Sequence, residues 1–225
     1  MAETLKQLVG RELAQRVVDG DTVGVGTGST VNAALEAIGK RISAEGLTVH
    51  AVPTSYQSAW LCQELGLTVL YPGFCSELPW GFDGADEVDE RQRLIKGGGG
   101  ALLQEKILAA RCKKYVIVVD ESKLVPKLGE KFPVPIEVIP EASWIVENEL
   151  KNFGATEVLV REARSKAGPV ITESGNIIVD ALFSEVPDSL EKDLNGIVGI
   201  VENGLFINYA TEVLVAGEDG IRKLS

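Results

Sequence analysis

Hydrophobic and polar positions follow two different periods along the first half of the chain. The pattern predicts helices over residues 3–18, 29–41, 55–65 and 100–112. Short apolar runs between them predict strands at residues 22–26, 47–52, 68–71 and 115–119. The last of these runs is continuously apolar, as expected of a strand that is covered on both faces. Regular alternation of helices and strands predicts a parallel sheet with crossover helices.

The pattern changes at residues 127–140, where Pro133, Pro135 and Pro140 interleave with apolar residues, and we place a domain boundary there. Beyond it, the sequence predicts a small α+β unit of split βαβ character. Its predicted elements are helices over 143–152 and 189–195 and strands at 156–160, 170–171 and 176–179. The apolar segments 205–207 and 213–215 are expected to return to the main sheet. The predicted domains are therefore residues 1–130 with 204–225, and residues 131–203.

The composition restricts the kinds of partner that the chain can have. With 225 residues, 45% hydrophobic and 24% charged, it resembles a soluble globular protein, and no segment approaches the roughly 18 apolar residues of a membrane span. The N-terminal residues lack the features of a secretion signal, so we expect a cytoplasmic location. The net charge of −11 disfavours nucleic acid and membrane surfaces as partners. It still allows a small anionic ligand held by a few lysines and backbone amides.

Metal or redox chemistry finds little support in the sequence. Cys62, Cys75 and Cys112 are far apart and form no C-x-x-C pair, so we interpret them as ordinary thiols. The single histidine, His50, lies in a predicted strand and is not accompanied by a nucleophile elbow. We therefore expect neither a metal site nor an organic cofactor.

A glycine-rich segment joins the first predicted strand to the following helix, with the sequence Gly24-Val25-Gly26-Thr27-Gly28-Ser29-Thr30. Glycines allow close backbone approach, and the hydroxyls of Ser29 and Thr30 lie at a helix start whose free N–H groups favour an anion. The segment predicts a phosphate site. The alternative is a plain glycine turn with Ser29 as an ordinary N-cap. Neither the dinucleotide G-x-G-x-x-G pattern nor the lysine of a P-loop is present.

Two further segments concentrate unusual residues. Asp83, Asp86, Glu87 and Asp89 place four carboxylates within seven residues, which is compatible with a catalytic group or a solvated turn, whereas the frame of a calcium loop is absent. Lys96 precedes a run of four glycines, which are costly to order and suggest that the backbone itself approaches a ligand. Glu105 follows on the predicted helix. Alone it would be a surface residue making an i,i+4 pair, but the lysine and the acidic cluster favour a catalytic role.

These motifs resemble those of ribose-5-phosphate isomerase type A in their order and approximate spacing, and the similarity runs along nearly the whole chain. The motifs are Gly26-Thr27-Gly28-Ser29-Thr30, Asp83-Gly84-Ala85-Asp86-Glu87, Lys96-Gly97-Gly98-Gly99-Gly100-Ala101 and Ser122-Lys123. The resemblance implies a Rossmann-like parallel-sheet main domain with an inserted smaller ferredoxin-like α+β domain. It also implies a metal-independent homodimer or homotetramer that interconverts ribose 5-phosphate and ribulose 5-phosphate in the non-oxidative pentose phosphate pathway.

Carried over residue by residue, the resemblance implies that Glu105 is the base, that Asp83 and Asp86 act around the sugar hydroxyls and ring oxygen, and that Lys96 completes the catalytic group. It implies phosphate contacts from Lys6, Ser29, Thr30 and Lys123. The remaining substrate-binding candidates are Gly26, Thr27, Gly28, Gly97, Gly98 and Gly99.

One carboxylate can move a proton between C2 and C1 through an enediolate, whose oxygens need donors such as Lys96 and the glycine amides. Repulsion among neighbouring carboxylates would leave Asp83 or Asp86 protonated as the acid, while Glu105 stays ionised.

Two other functions use a related glycine loop. A non-catalytic sugar-phosphate-sensing domain would need an output module, and the chain has no basic helix-turn-helix segment. An amino-sugar phosphate isomerase or deaminase would be expected to use a histidine in ring opening, and only His50 is available. The sequence leaves open the strictness for ribose, the choice between dimer and tetramer, and which of Asp83 and Asp86 is the acid.

Overall fold

A computed structural model describes residues 4–74 and 77–224 of the chain. Its α-helices are α1 Leu5–Arg16, α2 Ser29–Glu45, α3 Tyr56–Glu64, α4 Leu102–Arg111, α5 Ser143–Asn152 and α6 Leu190–Leu194. Its strands are β1 Thr22–Val25, β2 His50–Pro53, β3 Thr68–Val69, β4 Trp80–Asp83, β5 Glu87–Val88, β6 Leu94–Ile95, β7 Tyr115–Asp120, β8 Val134–Val138, β9 Ala155–Val160, β10 Ile177–Phe183, β11 Ile200–Asn203, β12 Leu205–Phe206, β13 Glu212–Gly217 and β14 Gly220–Lys223. Within these residues, no helix combines the length and hydropathy needed to cross a bilayer.

The described residues form two compact units. Unit 1 contains the described residues of 1–84, 104–123 and 209–225. Unit 2 contains residues 85–103 and 124–208.

The sheet of unit 1 has the strand order β14-β13-β7-β4-β1-β2-β3, and its pairs are parallel except for the β13–β14 hairpin. β7 is buried over residues 115–119, as its apolar run predicts for a strand in the middle of a covered sheet. α1 packs on α2 so closely that a Cβ on Gly10 would lie 2.7 Å from the carbonyl oxygen of Ala33. A glycine at this point therefore brings two helices together over the sheet.

The order of the strands creates a switch point at the carboxyl edge of this sheet. From β1 the chain passes to β2 and β3 on one side, and it then crosses to β4 on the other side of β1. The loops that follow β1 and β4 therefore leave in opposite directions, and in open α/β sheets such a crevice is the usual ligand site. Residues 26–30 follow β1, Asp83 ends β4, and residues 121–123 follow β7.

Unit 2 is built on a four-stranded antiparallel sheet with the order β11-β8-β10-β9. Together with α5 and α6 it has the element order βαββαβ, which is the ferredoxin-like arrangement. Its core contains Val134, Ile136 and Val138 on one face of β8, which pack with residues of α5 and α6 such as Val146 and Leu194. A second, three-stranded sheet has the order β12-β6-β5.

The α/β architecture with its mostly parallel central sheet is confirmed, and several details differ from prediction. Residues 213–215 pair with β7 in the main sheet, as expected. The prediction for residues 205–207 is wrong, because β12 pairs with β6 in unit 2. Unit 2 also includes residues 85–103, 124–130 and 204–208, which the predicted boundaries assign to the main domain. β5, β6 and β12 are two residues each, too short to produce a hydropathy pattern of their own.

Candidate active site

The loop after β1, residues 26–30, is shaped by two glycines. The Gly26 amide donates to the carbonyl oxygen of Phe82 at 2.9 Å, which extends the contact of β1 with β4. A Cβ on Gly26 would lie only 2.0 Å from Cγ of Asp83, so no other residue fits. Gly28 has φ +118° and is the N-cap of α2. Ser29 is therefore the first helical residue, and the alternative of an ordinary Ser29 N-cap is wrong.

A group of hydroxyls supports this loop from the side of β2 and α3. Oγ1 of Thr27 lies 2.8 Å from Oγ1 of Thr54 and 2.8 Å from Oγ of Ser55. The fully buried Ser58 donates its hydroxyl to the carbonyl oxygen of Gly26 at 2.7 Å. Because these partners lie on a neighbouring strand end and helix, the loop is fixed before any ligand arrives.

One lysine contacts the same loop, and a second follows β7 in the same sheet. Lys6, on α1, donates from Nζ to Oγ of Ser29 at 2.8 Å. Thr30 is half-buried in the first turn of α2, and Lys123 is half-buried in the short turn after β7. The helix start, the hydroxyls and the two lysines are the groups that a phosphate requires.

Asp83 lies next to the loop and is fully buried. Its Oδ1 accepts from the amides of Thr27 and Gly84 at 3.2 and 2.7 Å. Its Oδ2 accepts from the hydroxyl of Tyr115 at 2.9 Å. Three donors therefore converge on the Asp83 carboxyl group and hold it in one orientation.

The negative charges of Asp83 and Glu105 both act on the phenol of Tyr115. Burial raises the pKa of the Tyr115 phenol well above its usual value, and the negative charges of Asp83 and Glu105 raise it further. The phenol therefore stays protonated and remains a donor to Asp83. Glu105 is 4% exposed and lies in the first turn of α4, where the partial positive charge of the helix start favours a carboxylate.

Unit 2 holds the second group of predicted residues, around the segment 96–100. Lys96 is 2% exposed, and its Nζ lies 5.4 Å from the ring centroid of Phe206, a cation–π contact. The Gly98 amide donates to Oδ2 of Asp86 at 2.8 Å. The Gly100 amide donates to the carbonyl oxygen of Gly97 at 3.0 Å. The glycines form a turn before α4, which begins at Leu102 and not at residue 100 as predicted.

Comparison with known proteins identifies the family of this chain. The model of the family described as ribose 5-phosphate isomerase A (phosphoriboisomerase A) matches residues 50–220. The ribose-5-phosphate isomerase A of Methanothermobacter thermautotrophicus is 43% identical over 222 residues, which cover 98% of this chain and 97% of that protein. The chain belongs to the ribose 5-phosphate isomerase A family.

Solved structures of similar proteins agree in fold. Ribose 5-phosphate isomerase A from Methanocaldococcus jannaschii has a TM-score of 0.94 and 42% identity, with 97% of each chain covered. A D-ribose-5-phosphate isomerase in complex with phospho-erythronic acid also has a TM-score of 0.94, with 39% identity, and the match covers 97% of this chain and 96% of that one.

The four carboxylates of the acidic segment 83–89 have two different roles. Asp83 and Asp86 are candidate site residues, whereas Glu87 and Asp89 make contacts within unit 2. Glu87 is fully buried and accepts from the amides of Gly129, Lys131 and Phe132 at 2.5–2.7 Å. Asp89 is paired with Arg93 at 2.7 Å. These two carboxylates therefore stabilise the loops of unit 2 that they contact. The alternative of a solvated turn is wrong, because Asp83, Glu87 and Asp89 are all buried.

The predicted site residues of this family member fall into two sets. Unit 1 holds Lys6, Gly26, Thr27, Gly28, Ser29, Thr30, Asp83, Glu105 and Lys123. Unit 2 holds Asp86, Lys96, Gly97, Gly98 and Gly99. Tyr115 and the hydroxyls of Thr54, Ser55 and Ser58 also belong to this arrangement, although no motif in the sequence indicates them. Thr54 and Ser55 follow a predicted strand at the ligand edge of the sheet, which is a signal that could have identified them.

Among the described residues, Cys62 and Cys112 are free thiols that are largely shielded from water. Burial raises the pKa of the Cys62 thiol to about 12. Burial, together with the charge of Asp83, raises the pKa of Cys112 to about 12 as well. Both thiols therefore stay protonated and unreactive at neutral pH. Cys75 lies outside the described residues.

Proposed function

We propose that this protein interconverts ribose 5-phosphate and ribulose 5-phosphate as an aldose-ketose isomerase. The observation that carries the proposal is the buried Glu105 in the first turn of α4, in a chain of the ribose 5-phosphate isomerase A family. A carboxylate sheltered from water and close to a fixed donor network is what proton abstraction from carbon requires.

The substrate phosphate binds at the loop 26–30. The start of α2 presents backbone N–H groups there, Ser29 and Thr30 add hydroxyls, and Lys6 and Lys123 add positive charge. Such contacts hold the phosphate equally in substrate, enediolate and product. They therefore contribute to binding and orientation and leave the barrier of the chemical step largely unchanged.

Proton transfer is the task of Glu105. Its carboxylate removes the proton from C2 of the open-chain aldose and returns it to C1 of the enediolate, while a second proton moves from the C2 hydroxyl to the C1 oxygen, which gives the ketose. Asp83 is suited to accept a hydrogen bond from a sugar hydroxyl, because Tyr115, Thr27 and Gly84 hold its carboxylate in one orientation. Tyr115 is then a positioning residue, because its hydroxyl donates to Asp83.

The residues of unit 2 act on the oxygens of the sugar. Lys96 provides a buried positive charge, which stabilises an oxyanion more strongly than the same charge would in water. Asp86 is half-buried and is oriented by the Gly98 amide. We assign to Asp86 the role at the ring oxygen of the sugar, because Asp83 is the carboxyl group that already accepts from three donors.

The wider setting follows from the family resemblance. We propose that the enzyme works in the cytoplasm, in the pentose phosphate pathway, as a homodimer or homotetramer. We propose that it needs no metal or organic cofactor, and that neither nucleic acid nor a membrane is a partner.

The direct test is a panel of pentose and hexose phosphates with the purified protein. We expect turnover of ribose 5-phosphate to ribulose 5-phosphate, undiminished by EDTA and exhaustive dialysis, and no comparable turnover of ribose without phosphate. Binding of ribose 5-phosphate without conversion would instead favour a sugar-phosphate-sensing domain. Activity that depends on an added divalent ion would contradict the metal-free mechanism.

A further inference from the structure

An ion pair in unit 2 contacts backbone carbonyl groups of the glycine segment 97–100. Nη1 of Arg161 donates to the carbonyl oxygens of Gly97 and Gly98, at 2.8 and 3.1 Å. The same guanidinium is anchored by Asp180, whose Oδ2 accepts from Nε at 2.8 Å and whose Oδ1 accepts from Nη2. One planar group thus links a carboxylate on β10 to two successive peptide groups of the glycine segment.

The sheet of unit 2 fixes both members of this pair. Asp180 lies opposite Leu159 on β9, so Arg161 is its diagonal neighbour, two residues further along and on the same face. The backbone of Arg161 is itself held, since its amide donates to Ile178 and its carbonyl oxygen accepts from the Val170 amide, both at 2.8 Å. The side chains of Arg161 and Asp180 are only 16% and 20% exposed, which limits their other rotamers.

Holding a carbonyl also fixes the amide of the next residue. In a trans peptide, the C=O and N–H bonds point in opposite directions. The contact to Gly97 O therefore directs the Gly98 N–H away from Arg161, and this amide donates to Asp86. In the same way, the contact to Gly98 O directs the Gly99 N–H away from the guanidinium. The positive charge of the Arg161 guanidinium beside each carbonyl oxygen also polarises that peptide group, which makes its N–H a stronger hydrogen-bond donor.

We propose that Arg161, anchored by Asp180, is a positioning residue for the isomerisation, because it orients the Gly98 and Gly99 amides and, through Gly98, the Asp86 carboxylate. This inference rests on the proposed function. Glycine has the widest backbone freedom of any residue, so a segment of four glycines needs such a constraint to present donors in one direction. Donors that are already oriented stabilise an oxyanion without reorganisation during the reaction.

The test compares Arg161→Met with Arg16→Met. Arg16 and Glu212 form a matched ion pair in unit 1, with side chains 30% and 22% exposed, and Glu212 begins β13 at the edge opposite the phosphate loop. For Arg161→Met we expect kcat to fall about 10- to 100-fold, the usual result of misplaced catalytic groups. KM and the inhibition constant of inorganic phosphate should change little, because the phosphate loop lies in unit 1. Arg16→Met should keep the wild-type kcat.

Two further variants separate positioning from simple structural support. Lysine in Arg161→Lys can pair with Asp180 but cannot at once keep both carbonyls, so kcat should stay low although the thermal midpoint recovers. Asp180→Asn leaves the guanidinium in place with a weaker anchor and should lower kcat less than Arg161→Met. It also serves as the test if Arg161→Met does not fold.

The outcomes distinguish this inference from the proposed function. If the wild type and Arg16→Met do not isomerise ribose 5-phosphate, the proposed function fails. If both are active and the folded Arg161 variants keep the wild-type kcat, only the positioning role is overturned. Full recovery of kcat in Arg161→Lys, or a rise in KM without a fall in kcat, would overturn it as well.

Discussion

The two glycine-rich segments resemble each other in composition but are held in different ways. In the loop 26–30 and in the segment 97–100, a glycine lies against a carboxylate: Gly26 against Asp83, and Gly98 against Asp86. The first loop is supported by elements close to it in the sheet, namely β4, the end of β2 and the start of α3. The second is supported by Arg161 and Asp180, which are more than 60 residues away in sequence.

This difference separates two ways of building a binding loop. A strand-loop-helix connection at a switch point is fixed by the sheet, and its ligand groups are the hydroxyls and amides of the helix start. The glycine turn between the two-residue strand β6 and α4 does not start from that sheet, and a distant guanidinium supplies the constraint.

The largest effect is expected from Glu105→Gln, since Glu105 is the proposed base and lies in neither segment. Turnover should fall by about 10² to 10⁴, the usual contribution of a general base. Glutamine keeps the size and polarity of the side chain, so the fold and the phosphate site should be retained. Steady-state kinetics measure the loss, and an unchanged thermal shift with inorganic phosphate checks the binding site.

Removing a phosphate contact from the first loop should weaken binding and leave the chemistry intact. For Thr30→Ala and for Lys123→Ala we expect KM to rise by roughly 5- to 150-fold, which corresponds to about 1–3 kcal/mol for a charge-assisted hydrogen bond. Lys127→Ala is the matched control, because Lys127 is an exposed lysine of unit 2. A fall in kcat at unchanged KM would show that Lys123 acts on the reacting atoms instead.

Adding one methyl group to each segment compares their rigidity directly. In Gly26→Ala the new Cβ would lie 2.0–2.5 Å from the atoms of the Asp83 carboxylate, which three donors hold in place. We expect a loss of about 1–3 kcal/mol in the free energy of unfolding, as for overpacked cores. In Gly98→Ala the Cβ meets the end of the half-buried Asp86 side chain at 2.8 Å, so the loss should stay within about 0.5 kcal/mol. Equal losses in urea unfolding would contradict the contrast between the two loops.

The smallest effect concerns the Arg16–Glu212 pair, which lies outside both segments. The hydrogen bond from Arg16 lowers the pKa of Glu212 in the folded state. The pair therefore stabilises the fold above the unfolded-state pKa, and this contribution disappears as the pH falls through the folded pKa. Arg16→Met should cost roughly 0.2–1 kcal/mol near pH 7. Denaturant unfolding should show the difference shrinking to nothing in acid, whereas a difference that grows in acid would contradict the assignment.

The parts of the fold and site that could be predicted from sequence are those with local signals. The strand-glycine-helix pattern of residues 22–41 predicts the loop after β1, and the continuous apolar run predicts β7 as a buried strand. Glu105 stood out because it follows four glycines and a lysine. In contrast, Tyr115 lies inside that apolar run, and its sequence context is that of a core residue. The role of its hydroxyl becomes visible only when β4 is placed beside β7.

The remaining differences between prediction and structure arise from contacts between residues that are far apart in the sequence. β5, β6 and β12 are strands only because they pair with one another, and their sequences are too short to show it. Glu87 is an anchor because the amides of residues 129–132 surround it, and no spacing rule relates those positions. Arg161 and Asp180 are ordinary polar residues in sequence, and only the register of β9 and β10 brings them together.

The proton transfer assigned to Glu105 can be followed directly at C2 of the substrate. Ribose 5-phosphate carrying deuterium at C2 reports removal of that atom whether it passes to C1 or to water. With the wild type, deuterium should leave C2 at the rate of turnover. With Glu105→Gln, it should leave at least about 10²-fold more slowly, while inorganic phosphate still binds with its wild-type affinity. A folded Glu105→Gln protein that releases the C2 deuterium at the wild-type rate would remove Glu105 from the mechanism and contradict the account.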